Sequence, residues 1–233
     1  MGNSAIELSV ILPSYLEEEN LRLLLPRLHD TLRKLTDSYE VIVMDTVAPL
    51  DNTRSVCEAS GARYANRKPG NAFGDAVRSG ILEARGEYML FMDADGSHPP
   101  EFIPQLFRFI REYDIIIASR YIPGGYTENN RLQVFMSRAL NFTYALVLNL
   151  DCKDVSNSFK IYRSSLLRGL SLRSNNFDII EEILFKISKN NKNVKIKEVP
   201  FSFKKRMFGE TKRNLLSFVA TYLYTLLKLR FGK

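Results

Sequence analysis

The chain has 233 residues, of which 45% are hydrophobic and 25% charged, with a net charge of +7. That length supports one α/β domain with a full core and at most a small extension, and the composition excludes disordered and collagen-like classes. There is no run of 18 or more apolar residues to span a membrane, and the opening MGNSAIELSV lacks the basic-then-apolar pattern of a signal peptide. The charge is unevenly spread: residues 1–185 carry 20 Lys/Arg against 24 Asp/Glu, whereas residues 186–233 carry 13 against 2. A basic tail on an acidic body points to an anionic partner, such as a phospholipid surface or a nucleotide. No nucleic-acid-binding module accompanies it, so nucleic acid is not expected. Cys57 and Cys152 are isolated and show no metal-ligand spacing to His29 or His98, as expected of reduced thiols in a cytoplasmic protein.

The first half alternates strand and helix. LSVILPSY (8–15) is a short apolar run suited to a buried strand, and leucines at 21, 24, 25, 28, 32 and 35 give residues 17–35 a helical stripe. YEVIVMD (39–45) predicts a second strand, Asp51-Asn52-Thr53 caps a helix ending near Gly61, and 62–67 predicts a short third strand. A helix is expected over 71–84, a fourth strand over 87–95, a helix from Pro99-Pro100 to Arg111, and a fifth strand over 114–121. Such alternation implies a mostly parallel sheet with helices on both faces. Helices are expected over 131–150, 177–190 and 214–231, and strands over 158–163 and 194–203, the latter at an edge or bulged because of Pro200.

Ligands of parallel sheets bind beyond the carboxyl ends of the strands, and the polar residues there form a set: Pro13-Ser14-Tyr15, Asp45, Asp93-Ala94-Asp95 and Ser119-Arg120. Asp93 and Asp95, separated by one small residue at a strand tip, can present oxygens to one Mg²⁺ or Mn²⁺ whose shell substrate phosphates complete. Gly96 allows a sharp turn behind them. Asp45 can accept hydrogen bonds from a ribose or base. Arg120, Arg206 and Lys212 are candidate diphosphate contacts, the last two on a basic loop around Gly209 that could close over a nucleotide. Gly70 and Gly74 form no GxGxxG or GKS/T motif and are expected to pack a helix close to the sheet. Arg138, beside an apolar helical stripe, is read equally well as surface or as a contact for an anionic acceptor. The last helix has no charge over 214–227 and ends with Lys228, Arg230 and Lys233, which suits an amphipathic helix lying at a membrane interface or docking on a membrane-embedded partner.

These pieces resemble the family 2 glycosyltransferases of GT-A fold, in the dolichyl-phosphate mannose synthase branch. The likeness covers roughly residues 8–225 and rests on VILPSYLEEENL, GNAFGDAVRSGI, FMDADGSHPPEFIPQL, ASRYIPGG, SRALNF, SNSFKIYRSSLL and EVPFSFKKRMFGETK. The resemblance implies a Rossmann-like sheet, a domain over 1–210 and a separate C-terminal helix over 211–233. It further implies that Pro13, Tyr15, Glu17, Met44, Asp45, Asp93, Ala94, Asp95, Arg120, Arg206 and Lys212 form the nucleotide-sugar site, with Asp93 and Asp95 at the metal. Ser137 and Arg138 would face a polyprenyl-phosphate acceptor. The implied reaction is metal-dependent, inverting transfer, most simply of mannose from GDP-mannose, by a protein peripheral to the cytoplasmic face of a membrane. At the second strand the family has two adjacent Asp residues followed by Gly-Ser, whereas this chain reads Asp45-Thr46-Val47-Ala48. Two alternatives stay open: a glycan-hydroxyl acceptor, with Asp178, Glu181 or Glu182 as base, and a nucleotide-sugar-binding subunit without activity.

Overall fold

The computed structural model describes residues 6–204 and 215–231. Its first half follows the expected alternation: β1 (Leu8–Pro13), α1 (Glu18–Arg33), β2 (Tyr39–Asp45), α2 (Thr53–Ser60), β3 (Arg63–Asn66), α3 (Phe73–Glu83), β4 (Tyr88–Phe91), α4 (Ile103–Phe107) and β5 (Ile115–Ser119). Then come β6 (Tyr126–Thr127), α5 (Arg131–Leu148), β7 (Lys160–Arg163), α6 (Ser164–Leu167), α7 (Ile179–Asn190), β8 (Ile196–Pro200), β9 (Ser202–Phe203) and α8 (Leu215–Phe231). Seven strands form one sheet in the order β3-β2-β1-β4-β7-β5-β8, parallel throughout except for β7; β6 and β9 make a separate two-stranded ribbon.

Strand alternation divides the core between the two faces of this sheet. Leu8, Val10 and Leu12 of β1 and Val41 and Val43 of β2 pack with the leucine stripe of α1, Val56 and Cys57 of α2, and Ile103 and Leu106 of α4. On the other face Ile11, Ile42 and Met44 meet α3, α5, α7 and α8. Gly80, rather than Gly74, brings α3 close to the sheet: a Cβ there would lie 2.5 Å from the Ile11 side chain. Gly74 instead admits the 174–175 backbone, donating its N–H to Asn175 O (2.7 Å).

Several expected elements are shorter. The helix expected over 99–111 is a 3₁₀ turn (Pro100–Phe102) followed by the five residues of α4. Pro104 lies in the first turn of α4, where its missing N–H costs nothing, whereas within a continuous helix it would remove a hydrogen bond. The strand expected over 194–203 breaks after Pro200, which lies on the outermost strand as anticipated. The chain then leaves β5 to pair with β6 through β9. The C-terminal helix packs against α5, burying Tyr222, Thr225 and Leu226, with the Tyr144 hydroxyl donating to Tyr222 O (2.6 Å). The boundary expected at 210/211 lies outside the described residues. Among the described residues no helix is long and apolar enough to cross a membrane.

Candidate active site at the carboxyl edge of the sheet

The tips of β1 and β2 are fastened by an arginine that the sequence reading did not single out. Arg67 is buried, and its guanidinium donates to the carbonyls of Ser14, Met44 (2.9 Å), Asp45 (3.1 Å) and Asn71 (3.2 Å). Burial lowers its pKa, and Asp45 and Asp75 oppose that shift. One side chain thus sets Pro13-Ser14 beside Met44-Asp45, a pairing that Ser14 N–H to Met44 O (3.0 Å) continues beyond the strand register. The first residues past that point, Tyr15 and Leu16, are exposed, and Leu16 turns the chain with a φ of 57°. Glu17 precedes α1 and accepts from Asn20 (2.5 Å), while Asp51, from the loop after β2, accepts from the N–H of Glu18 (3.1 Å) and of Thr53 (3.0 Å).

Met44 and Asp45 lie deeper than a strand-tip position suggests. The Met44 side chain is in the core, and the Asp45 carboxylate is 1% exposed and accepts from the Tyr64 hydroxyl (3.0 Å). Thr46, at the family's second Asp position, is also buried and donates to Ala48 O (2.7 Å).

β4 ends at Phe91, and the acidic pair forms the turn beyond it. Asp95 Oδ1 accepts from both the N–H (3.0 Å) and the hydroxyl (2.6 Å) of Ser97, a turn that Gly96 permits with a φ of +79°. Ala94 is buried between them. The Asp93 side chain remains 28% exposed; its Oδ1 accepts from Ser158 (2.9 Å), and its N–H donates to Nδ1 of His98 (2.9 Å). His98 is fully buried, stacked on Phe159, and burial lowers its pKa. Because Nδ1 accepts, the neutral ring carries its proton on Nε2. No cluster of three or more His, Cys, Asp or Glu side chains suited to a metal occurs among the described residues. The two candidate carboxylates, Asp93 and Asp95, offer only oxygen, which fits a hard cation that keeps positions for phosphate and water.

Arg120 follows β5 and is nearly buried. Its Nε and Nη2 grip Asp154 bidentately (2.8 and 2.7 Å), and Nη2 also donates to Ser156 (3.0 Å). Burial works against the charge, but Asp154 outweighs it and raises the pKa. Next to it, the Tyr121 hydroxyl donates to Ser137 on α5 (2.7 Å), and the exposed Arg138 guanidinium lies 5.6 Å from the Tyr121 ring. The structure therefore brings Ser137 and Arg138 to the Arg120 side of the edge. A cavity of about 600 Å³ opens there, lined by Tyr121, Ile122, Arg138, Phe142, Cys152 and Lys153. Beside it α5 exposes Leu132, Phe135, Phe142 and Leu146, spaced along one helical face.

Two of the three acidic candidates for a base are committed elsewhere, and the third, Glu181, is buried with no hydrogen bond to either carboxyl oxygen among the described residues. Asp178 accepts from Thr225 (2.8 Å), and Glu182 accepts from the N–H groups of Arg173 and Ser174 and from Lys186. Glu181 is buried, and burial pushes its carboxyl up to about 8. Arg206 and Lys212 lie outside the described residues. Arg67, His98, Asp154 and Ser158 were not legible as site residues, because their roles depend on which distant backbone and side-chain atoms the fold brings to them.

The family model Glycosyl transferase family 2 matches residues 9–170, and the chain belongs to that family. It is therefore a glycosyltransferase. It is 36% identical over 215 residues to the dolichol-phosphate mannosyltransferase of Pyrococcus furiosus, an alignment covering 89% of this chain and 59% of that protein. The chain thus spans less than two thirds of that relative's length. It is 31% identical to the undecaprenyl-phosphate mannosyltransferase of Micrococcus luteus, over 87% of this chain and 85% of that one. Among solved structures, glucosyl-3-phosphoglycerate synthase of Mycobacterium tuberculosis, crystallised with Mn²⁺, UDP and phosphoglyceric acid, superposes with a TM-score of 0.72. At 20% identity, covering 98% of this chain and 80% of that one, it shares the GT-A fold.

Proposed function

We propose that this protein transfers a sugar, mannose from GDP-mannose, onto a polyprenyl phosphate of dolichyl type, working at the cytoplasmic surface of a membrane. The observation that carries the reading is the cavity beside Ser137 and Arg138. Two cations, Arg138 and Lys153, share it with the apolar Ile122 and Phe142, and it adjoins a row of exposed apolar side chains on α5. A phosphate on an isoprenoid chain needs that combination of charge and grease, whereas a glycan needs neither the row nor a second cation. Both relatives named above are described as acting on polyprenyl phosphates, which supports the same acceptor class.

The donor would lie across Pro13, Tyr15, Glu17, Met44, Asp45, Asp93, Ala94, Asp95 and Arg120, with Arg206 and Lys212 as further diphosphate contacts. A Mg²⁺ or Mn²⁺ held by Asp93 and Asp95 would neutralise charge on the leaving diphosphate. A lipid phosphate oxygen attacks the anomeric carbon as the bond to the diphosphate breaks, and the electron pair leaves with the nucleoside diphosphate. One displacement inverts the centre. A phosphate monoester is already anionic at neutral pH, so no base is required, in keeping with the commitment of Asp178 and Glu182 to other partners. Catalysis is then positioning and electrostatic stabilisation. The exposed faces of α5 and α8, with Lys228 and Arg230 at the latter's end, suit seating on an anionic bilayer or a membrane-embedded partner.

The test is incubation with Mg²⁺ or Mn²⁺, a short-chain polyprenyl phosphate and a panel of GDP- and UDP-sugars. Glycosylated lipid from GDP-mannose is expected. Transfer only to saccharide hydroxyls, or donor binding without turnover on any lipid phosphate, would overturn the reading.

A further inference from the structure

β7 runs against its neighbours β4 and β5, so the chain enters β7 at the edge where those two strands leave the sheet. Register fixes the place: Lys160 is opposite Phe91 on one side and Ile117 on the other. The segment just before Lys160 therefore passes between the tip that carries Asp93 and the tip that carries Arg120. Its side chains alternate. Asp154 accepts from Arg120 through the backbone N–H (2.8 Å) as well as Nε and Nη2. The Ser156 hydroxyl accepts from Arg120 (3.0 Å) and from Asn141 of α5 (3.0 Å). The Ser158 hydroxyl donates to Asp93 (2.9 Å). The intervening Val155, Asn157 and Phe159 are buried: Asn157 donates to Ala118 O (2.5 Å), and the buried Lys160 reaches back to Val155 O (2.7 Å). Glu198 of β8 secures the start of the segment, accepting from the N–H groups of Lys153 and Asp154 (both 2.9 Å) and from Ser119 (2.6 Å).

We propose that Asp154, Ser156 and Ser158 are positioning residues of the donor site, a polar strap that holds Asp93 and Arg120 in place before a donor arrives. The inference rests on the reading of Asp93 as a cation ligand and of Arg120 as a diphosphate contact. Its physical content is preorganisation. A carboxylate and a guanidinium on separate strand tips would otherwise have to be ordered at the expense of binding. Asp154 occupies the Nε and Nη2 side of Arg120; among the described residues Nη1 makes no hydrogen bond, which leaves it for a phosphate oxygen. Ser158 orients Asp93 with a neutral donor, so the negative charge that a cation needs is kept.

The test compares Ser158→Ala, Ser158→Thr, Ser156→Ala and Asp154→Asn in the full chain. Mn²⁺ binding in the presence of GDP is followed by electron paramagnetic resonance, and GDP affinity by calorimetry. Ser158→Ala is expected to weaken Mn²⁺ binding about 10-fold, the usual scale for losing a partner of a metal ligand, with an unchanged unfolding midpoint and recovery in Ser158→Thr. Ser156→Ala and Asp154→Asn are expected to weaken GDP binding while the Mn²⁺ response changes less. Should Asp154→Asn fail to fold, the two serine variants carry the test. Wild-type Mn²⁺ affinity in Ser158→Ala, or equal loss in Ala and Thr, would overturn the strap. If wild-type protein binds Mn²⁺ with GDP no better than Asp93→Ala does, the donor-site reading fails first and takes the strap with it.

Discussion

On the β1–β2 side of the carboxyl edge, the buried Arg67 ties together backbone carbonyls from three segments, and the exposed Tyr15, Leu16, Val47 and Leu50 stand on the loops just beyond them. On the α5–α8 side large apolar side chains stand in solvent: Leu132, Phe135, Phe142 and Leu146 on α5, Tyr224, Leu227 and Phe231 on α8. The first region is braced by hydrogen bonds within the chain, whereas the second leaves apolar area uncovered, as the proposed lipid acceptor needs. A nucleotide-binding edge gains from rigidity, because each group fixed in advance lowers the cost of binding. A surface that engages a lipid gains from apolar area left uncovered.

The largest test of this contrast lies between the two regions. Asp95→Ala should lower sugar transfer by about 10²–10³-fold or more, the scale for removing one preorganised electrostatic contact, while circular dichroism shows an unchanged fold. Near-normal turnover would remove Asp95 from the chemistry. On the rigid side, Arg67→Met should cost about 3 kcal/mol or more in urea unfolding, because it strands several buried carbonyls at once. A loss no larger than that of a surface arginine would mean that water replaces the guanidinium and that the edge is not held as described.

The root of the helical side should respond to pH. Glu181 lies buried near Lys160, Asp178 and Tyr222, with its carboxyl raised by burial to about 8. The native state therefore keeps a proton that the unfolded chain loses near the model-peptide value of 4.5. The stability from this neutral acid is full below that value and is lost as pH rises toward about 8. Glu181→Gln should gain on wild type as pH rises through that window, read as a widening gap between urea midpoints. A gap that does not depend on pH would show Glu181 ionised in the native protein. The smallest expected effect is on the exposed row: Phe135→Ser and Phe142→Ser should each weaken binding to anionic vesicles by about 1–2 kcal/mol without lowering the unfolding midpoint. Unchanged vesicle binding by the double variant would make the row a protein-docking face or an idle one.

Much of this was readable in the residues. Apolar runs at strand spacing and leucines at helical spacing gave the sheet and α1, because burial imposes those periods directly. Asp93 and Asp95 were visible because two acids after a bulky apolar run have few structural uses. The reversal of β7 was not visible, since strand direction is set by pairing and leaves no mark on composition. With it was hidden the strap: Ser158 reads as the start of a strand and SNSFKIYRSSLL as a stretch of family likeness, but neither shows the contacts of Asp154, Ser156 and Ser158, which arise because Phe91 and Ile117 flank Lys160. Arg67 escaped for a similar reason, as a side chain that binds carbonyls carries no signature of which carbonyls. Pro104 breaking the fourth helix could have been read, since its effect is local.

The hold of Glu198 on residues 153 and 154 bears on how the protein can be divided. The match to the family model ends at residue 170, yet the outermost strand, contributed after it, secures the segment that grips Arg120. A shortened protein cut at the recognised boundary would keep every strand tip named for the donor and still lose the fastening of one of them. Chimaeras that exchange the donor site between relatives should therefore move residues 153–158 and β8 as a single module.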